Sequence, residues 1–157
     1  MSCDAVSLAA TLWFAATNAV AAPPQMPASA AAPPSVAGEP LFAGIVQRAA
    51  KLKAETAAWE KSSLTTDFDH MAGASQFESD ISQLSALDMQ GHVSLVERGR
   101  QDDLKCILKG ISQDLPVKMK ALEAAADPKA RHGALEDMFY LLRDNVEVIT
   151  APPQPSA

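Results

Sequence analysis

No dense run of Lys or Arg occurs anywhere in the chain, and a net charge of −6 with a pI near 4.9 leaves no basic face for neutralising phosphates. Nucleic acid is thereby excluded as the main partner. Glycine is scarce as well: seven in 157 residues, beside 48% hydrophobic content, is the composition of one globular domain with a real core. Much of that hydrophobic content is alanine.

The motifs of several chemistries are also missing. Without Cys-x-x-Cys-His there is no covalent c-type haem attachment. Without Glu-x-x-His there is no di-iron carboxylate site of the kind built into bundle cores. No Gly-x-Ser-x-Gly elbow and no phosphate-binding glycine loop occur, and Cys106 has no base partner evident in its sequence neighbourhood. The expectation is a protein that is not an enzyme and holds no cofactor. No β-rich alternating segment is present, which leaves an all-α fold.

What is present begins with an apolar, Ala-rich run from Ala5 to Ala22 that contains the small-x-small pattern Ala19-Val20-Ala21. Residues 1–21 read as a secretion signal, although no Lys or Arg precedes Arg48. The run is short and Ala-rich for a membrane anchor, so no stable membrane span is expected after its removal, and the protein is expected to be periplasmic or secreted. Cleavage after Ala21 takes away Cys3 and Asp4, leaving 18 of the 19 acidic residues against 13 basic ones, a net of −5. Cys106 is then the sole cysteine, either a free thiol or one half of an intermolecular bridge.

Residues 22–40 form a Pro/Ala linker in which Pro23-Pro24, Pro27, Pro33-Pro34 and Pro40 forbid a continuous helix, and they are expected to be disordered. A four-helix bundle is expected over 41–150, followed by a disordered tail at 151–157.

The spacing predicts a first helix from Leu41 to about Lys61, with Phe42, Ile45, Ala49, Leu52, Thr56 and Trp59 on one face. A second helix is predicted from Asp67, capped by Thr66 or Asp67, to Met89, with Gly91 as its left-handed stop and Ala74, Phe77, Ile81 and Leu84 facing the core. Ser94 to Glu97 matches a capping box and predicts a short extra helix ended by Gly99. The strongest signal runs from Asp102 to Ala126, where Leu104, Leu108, Ile111, Leu115, Met119 and Leu122 share a face. Pro116 lies inside this run and predicts a kink, with Asp114 as a fallback cap. Asp127-Pro128 is a cap followed by proline at the first helical position, opening a fourth helix that ends near Ile149. Its core face is read as Leu135, Met138, Leu142, Val146 and Ile149, with Phe139 beside them. Short loops between helices of similar length favour an antiparallel up-down-up-down bundle, with Phe42, Trp59, Phe77 and Phe139 dominating its core.

Two sets of residues are candidates for function. Cys106, Gly110, Val117, Ala121 and Ala124 lie at roughly 200–260° from Leu104, on the back of the third helix. Their small size would let another helix approach, with Leu141 and Val148 on a comparable outward face of the fourth. This predicts a homodimer or protein-partner interface. The second set gathers His70, Met71, Met119 and His132, with Trp59 and Met138, at one pole of the bundle. Imidazole and thioether ligands suit haem b or copper, so the alternative function is a periplasmic redox or metal carrier. The bundle architecture is similar to that of soluble haem-b cytochromes, but the axial Met and His positions of those proteins are occupied here by Phe42 and by Val148-Ile149.

Overall fold

The computed structural model describes residues 35–60, 65–100 and 103–151. The expected secretion signal, most of the linker and nearly all of the tail lie outside them. The described residues are all helical, without strands: α1 (Pro40–Trp59), α2 (Ala74–Glu97), α3 (Leu104–Glu123) and α4 (Pro128–Thr150), with a single 3-10 turn at Phe68–His70. Each helix packs against its sequence neighbours, and α4 closes onto α1, as an up-down-up-down bundle requires. Among the described residues no helix is long and apolar enough to cross a membrane.

Helix starts follow local chemistry. Pro40 and Pro128 open α1 and α4, where a missing amide costs no hydrogen bond. The Asp127 carboxylate accepts from the Ala130 amide at 2.9 Å, satisfying one of the donors that a helix start leaves orphaned. The folded unit reaches further toward the N-terminus than Leu41. Val36 is 2% exposed and belongs to the core, and its carbonyl accepts from the Glu39 amide in a turn that leads into α1.

The core faces of α1, α2 and α3 are the predicted ones, since 3.6-residue periodicity is a local property. Three boundaries differ. Asp67 does not open α2. Gly73, at φ +88°, turns the backbone between the 3-10 segment and α2, and the stretch before it lays Phe68 and Met71 into the core. The Asp67 carboxylate accepts instead from Nη2 of Arg131 at the start of α4.

Gly91 does not stop α2, and Ser94 starts no separate helix: α2 runs unbroken to Glu97. A Cβ at Gly91 would stand 3.1 Å from Leu108 Cδ1, and 3.3 Å from both Ile45 Cδ1 and Phe42 Cε1. The glycine therefore admits close approach of α1 and α3. The stop is Gly99, at φ +64°: its amide bonds the Val96 carbonyl at 2.9 Å and the Arg100 amide bonds Leu95 at 3.1 Å, a Schellman ending.

α3 runs through Pro116 as one helix, and the fallback cap at Asp114 is not used: Asp114 is an exposed interior residue. The aromatic core also differs. Phe139 is only half-buried, whereas Phe68 is buried and meets Trp59 edge-on at 5.8 Å, with Phe77 on the same indole at 4.8 Å.

Candidate functional site

The back of α3 is its outer face. Val117 is 61% exposed, Ala121 and Ala124 are exposed, and Cys106 and Gly110 are half-buried. Nothing stands within 4 Å of where a Gly110 Cβ would lie. Cys106 takes part in a disulfide, and the chain's other cysteine, Cys3, lies outside the described residues. Leu141 and Val148 do not extend this surface: both are partly buried and pack onto the core.

A second outward stripe appears on α2 because that helix continues past Gly91. Met89, Val93 and Val96 stand at i, i+4 and i+7, with Val93 46% and Val96 49% exposed. It does not merge with the α3 surface. The Ser85 to Ser112 and His92 to Lys105 hydrogen bonds set the antiparallel register of α2 and α3. In that register Val117 lies about 20 Å along the bundle from Val93, at about 1.5 Å per residue.

The pole predicted to gather histidine and methionine also holds the buried Arg131 and its partner Asp67. Met71 and Met119 are buried as core residues, His70 is exposed, and His132 is half-buried with Nδ1 enclosed and without a hydrogen-bond partner. Met138 is fully buried on α4. Among the described residues no three His, Cys, Asp or Glu side chains are grouped so as to hold a metal ion. Beside this pole, Thr56 and Ala57 of α1, Glu60 just after it, and Leu135, Glu136, Phe139 and Tyr140 of α4 line a cleft of about 180 Å³. The hydroxyl of Thr56 donates to the Leu52 carbonyl at 2.8 Å.

Two polar clusters were not apparent from composition or motif. In the first, Asp80 of α2 is buried against α1, accepting from Lys51 Nζ at 2.8 Å, Arg48 Nη1 at 3.2 Å and Gln76 Nε2 at 3.0 Å. The hydrogen bond from Lys51 is the main reason its carboxyl titrates below the ordinary value, with burial opposing. In the second, Asp88 of α2 and Asn145 of α4 meet in the core, both 0% exposed, with Asn145 Nδ2 donating to Asp88 Oδ2 at 2.6 Å. Asp88 Oδ1 and Asn145 Oδ1 have no hydrogen-bond partner. Burial pushes the Asp88 carboxyl up from 3.8 to about 7, against the lowering effect of the Asn145 bond.

The spacing did contain both. Asp80 sits one position before core residue Ile81. Asp88 falls between Leu84 and Gly91 on the core stripe, and Asn145 between Leu142 and Ile149, where Val146 was expected and is only half-buried. Polarity, not periodicity, argued against placing them inside.

Comparison with protein-family models, with curated proteins and with solved structures finds no match to the chain.

Proposed function

We propose that this chain is an exported helical-bundle interaction module that binds a protein partner, or a second copy of itself, through the outer face of α3. The observation that carries this reading is Val117, the most exposed of the large hydrophobic side chains described, on the face turned away from the core. Leaving an aliphatic side chain in water forgoes roughly 1.5–3 kcal/mol of burial. Exposed Ala121 and Ala124 on the same face, and the open space at Gly110, would let a second helix come close. Export rests on the Ala5 to Ala22 run and its Ala19-Val20-Ala21 ending.

Cys106 is disulfide-bonded in the single chain described, so its bridge can be intermolecular only in a chain that has lost Cys3, as cleavage after Ala21 would bring about. The test is the oligomeric mass of the exported protein across concentration, with non-reducing gels, beside Val117→Glu and Gly110→Leu. Self-association, or capture of a partner from the exported fraction, is expected to be lost in both variants. A strict monomer at high concentration, with partner capture identical in wild type and both variants, removes the basis of this reading.

The alternative, a haem b or copper carrier, draws on the enclosed and unpartnered Nδ1 of His132. Purified protein without visible absorption and without copper uptake sinks it.

A further inference from the structure

Two side-chain oxygens in the core, Oδ1 of Asp88 and Oδ1 of Asn145, are enclosed without a donor, although the other atoms of the same two groups bond each other at 2.6 Å. Buried acceptors of this kind are rarely left unserved, and both groups here belong to a single contact between diagonal helices. A single proton resolves both vacancies. Placed on Asp88 Oδ1, it is donated to Asn145 Oδ1 while Asn145 Nδ2 continues to donate to Asp88 Oδ2, and the acid and the amide close a two-hydrogen-bond ring.

We infer that the bundle carries a proton latch between α2 and α4: neutral Asp88 closes this ring with Asn145, and ionisation opens it, so the fold is held more tightly below neutrality than above.

Among the described residues, no charged group acts on the Asp88 carboxyl. On α1, Arg48 and Lys51 are engaged with Asp80. On α2, His92 lies one turn beyond Asp88, with Nδ1 2.6 Å from the Lys105 carbonyl. On α3, Lys105 reaches the Arg100 carbonyl and Lys109 is half-buried. On α4, Asp144 and Glu147 are exposed, and Arg143 pairs with Asp144. The core stripes that carry the pair are otherwise mostly apolar, with Leu84 and Leu95 on α2 and Leu142 and Ile149 on α4, and the buried Ser112 on α3 donates to the Lys109 carbonyl. Burial is the main cause of the upward shift of Asp88, and no charged neighbour contributes. When the carboxyl ionises, that proton is gone, and Asp88 Oδ1 and Asn145 Oδ1 are both acceptors without a donor at a site where both side chains are 0% exposed.

The sign follows from linkage. A carboxyl raised in the folded state binds its proton more tightly there than in the unfolded chain. Its contribution is fully present below the ordinary carboxylate range and is lost as pH rises through about 7. Asp88→Asn keeps the ring without the titration, because an amide at 88 donates to Asn145 Oδ1 and accepts from Nδ2.

The experiment is urea unfolding of the full chain and of Asp88→Asn at about pH 5 and about pH 8.5. Between these conditions the folded-to-unfolded ratio of the wild type is expected to fall on the order of a hundredfold relative to the variant. Parallel changes in the two chains overturn the latch. Should Asp88→Asn not fold, the sequentially assigned carboxyl carbon-13 resonance of Asp88 in the wild type decides. A midpoint near neutrality upholds the latch, and one in the ordinary carboxylate range ends it.

Discussion

The Ser85 hydroxyl on α2 donates at 2.7 Å to the carbonyl of Ser112 on α3, the carbonyl that Pro116 leaves without its helical amide. A proline inside a helix removes the bond back to residue i−4 and crowds that carbonyl, at about 3 kcal/mol in an unadapted helix. Here the neighbouring helix supplies the missing donor. The exposed Pro116 ring stays on the solvent side, and α3 continues to Glu123.

Removing that hydroxyl should therefore cost more than an average serine. Ser85→Ala is expected to destabilise the wild type by about 1–2 kcal/mol, because it strands a partly buried carbonyl. In a Pro116→Ala background the new amide at 116 can serve Ser112, and the same substitution should cost clearly less. A double-mutant cycle by chemical denaturation measures the difference, and a coupling near zero would show that the bond does not offset the proline.

Two glycines on facing helices should respond to the same substitution with opposite signs. Gly91→Ala pushes a Cβ to within 3.1–3.3 Å of Leu108, Ile45 and Phe42. Overpacking at about 1–3 kcal/mol then outweighs a helix-propensity gain of about 1 kcal/mol. Gly110→Ala meets nothing within 4 Å and keeps the gain, so it should stabilise by up to about 1 kcal/mol. Thermal melts of the two variants beside the wild type check this. If Gly91→Ala proves as favourable as Gly110→Ala, the close approach at Gly91 is not limiting.

Asp80 contributes a pH-dependent part of stability on the acid side. Its folded-state carboxyl is held below 3.8, chiefly by the hydrogen bond from Lys51. The stabilisation is thus present above that value and is lost as pH falls through the lower folded one. Asp80→Asn should be less stable than the wild type near neutral pH, with the gap closing as the pH drops below about 4. A gap that is constant with pH, in urea melts over that range, would assign the loss to packing rather than charge. The contribution of Asp88 fades in the opposite direction, as pH rises.

Much of the candidate surface was legible from one helical wheel. Val117, Ala121 and Ala124 fall outside because Leu104, Leu108 and Ile111 fall inside, and both statements follow from the same angular step. The α2 stripe of Met89, Val93 and Val96 exists only because α2 continues through Gly91 to Glu97. The predicted histidine and methionine pole was named from topology, but topology does not say which way a side chain turns. Met71 and Met119 turned into the core, and His70 turned outward.

Four amphipathic segments, the core faces of α1, α2 and α3 and the Asp127-Pro128 start were determined by the sequence itself, because periodicity and capping act within one or two helical turns. Whether Gly91 ends a helix, whether Pro116 breaks one, and whether Asp88 and Asn145 lie inside were decided only by tertiary structure. Glycine, proline and a buried polar group each leave something locally unsatisfied. A neighbouring helix supplies the answer in each case: the side chains of Leu108 and Ile45, the hydroxyl of Ser85, and the amide of Asn145.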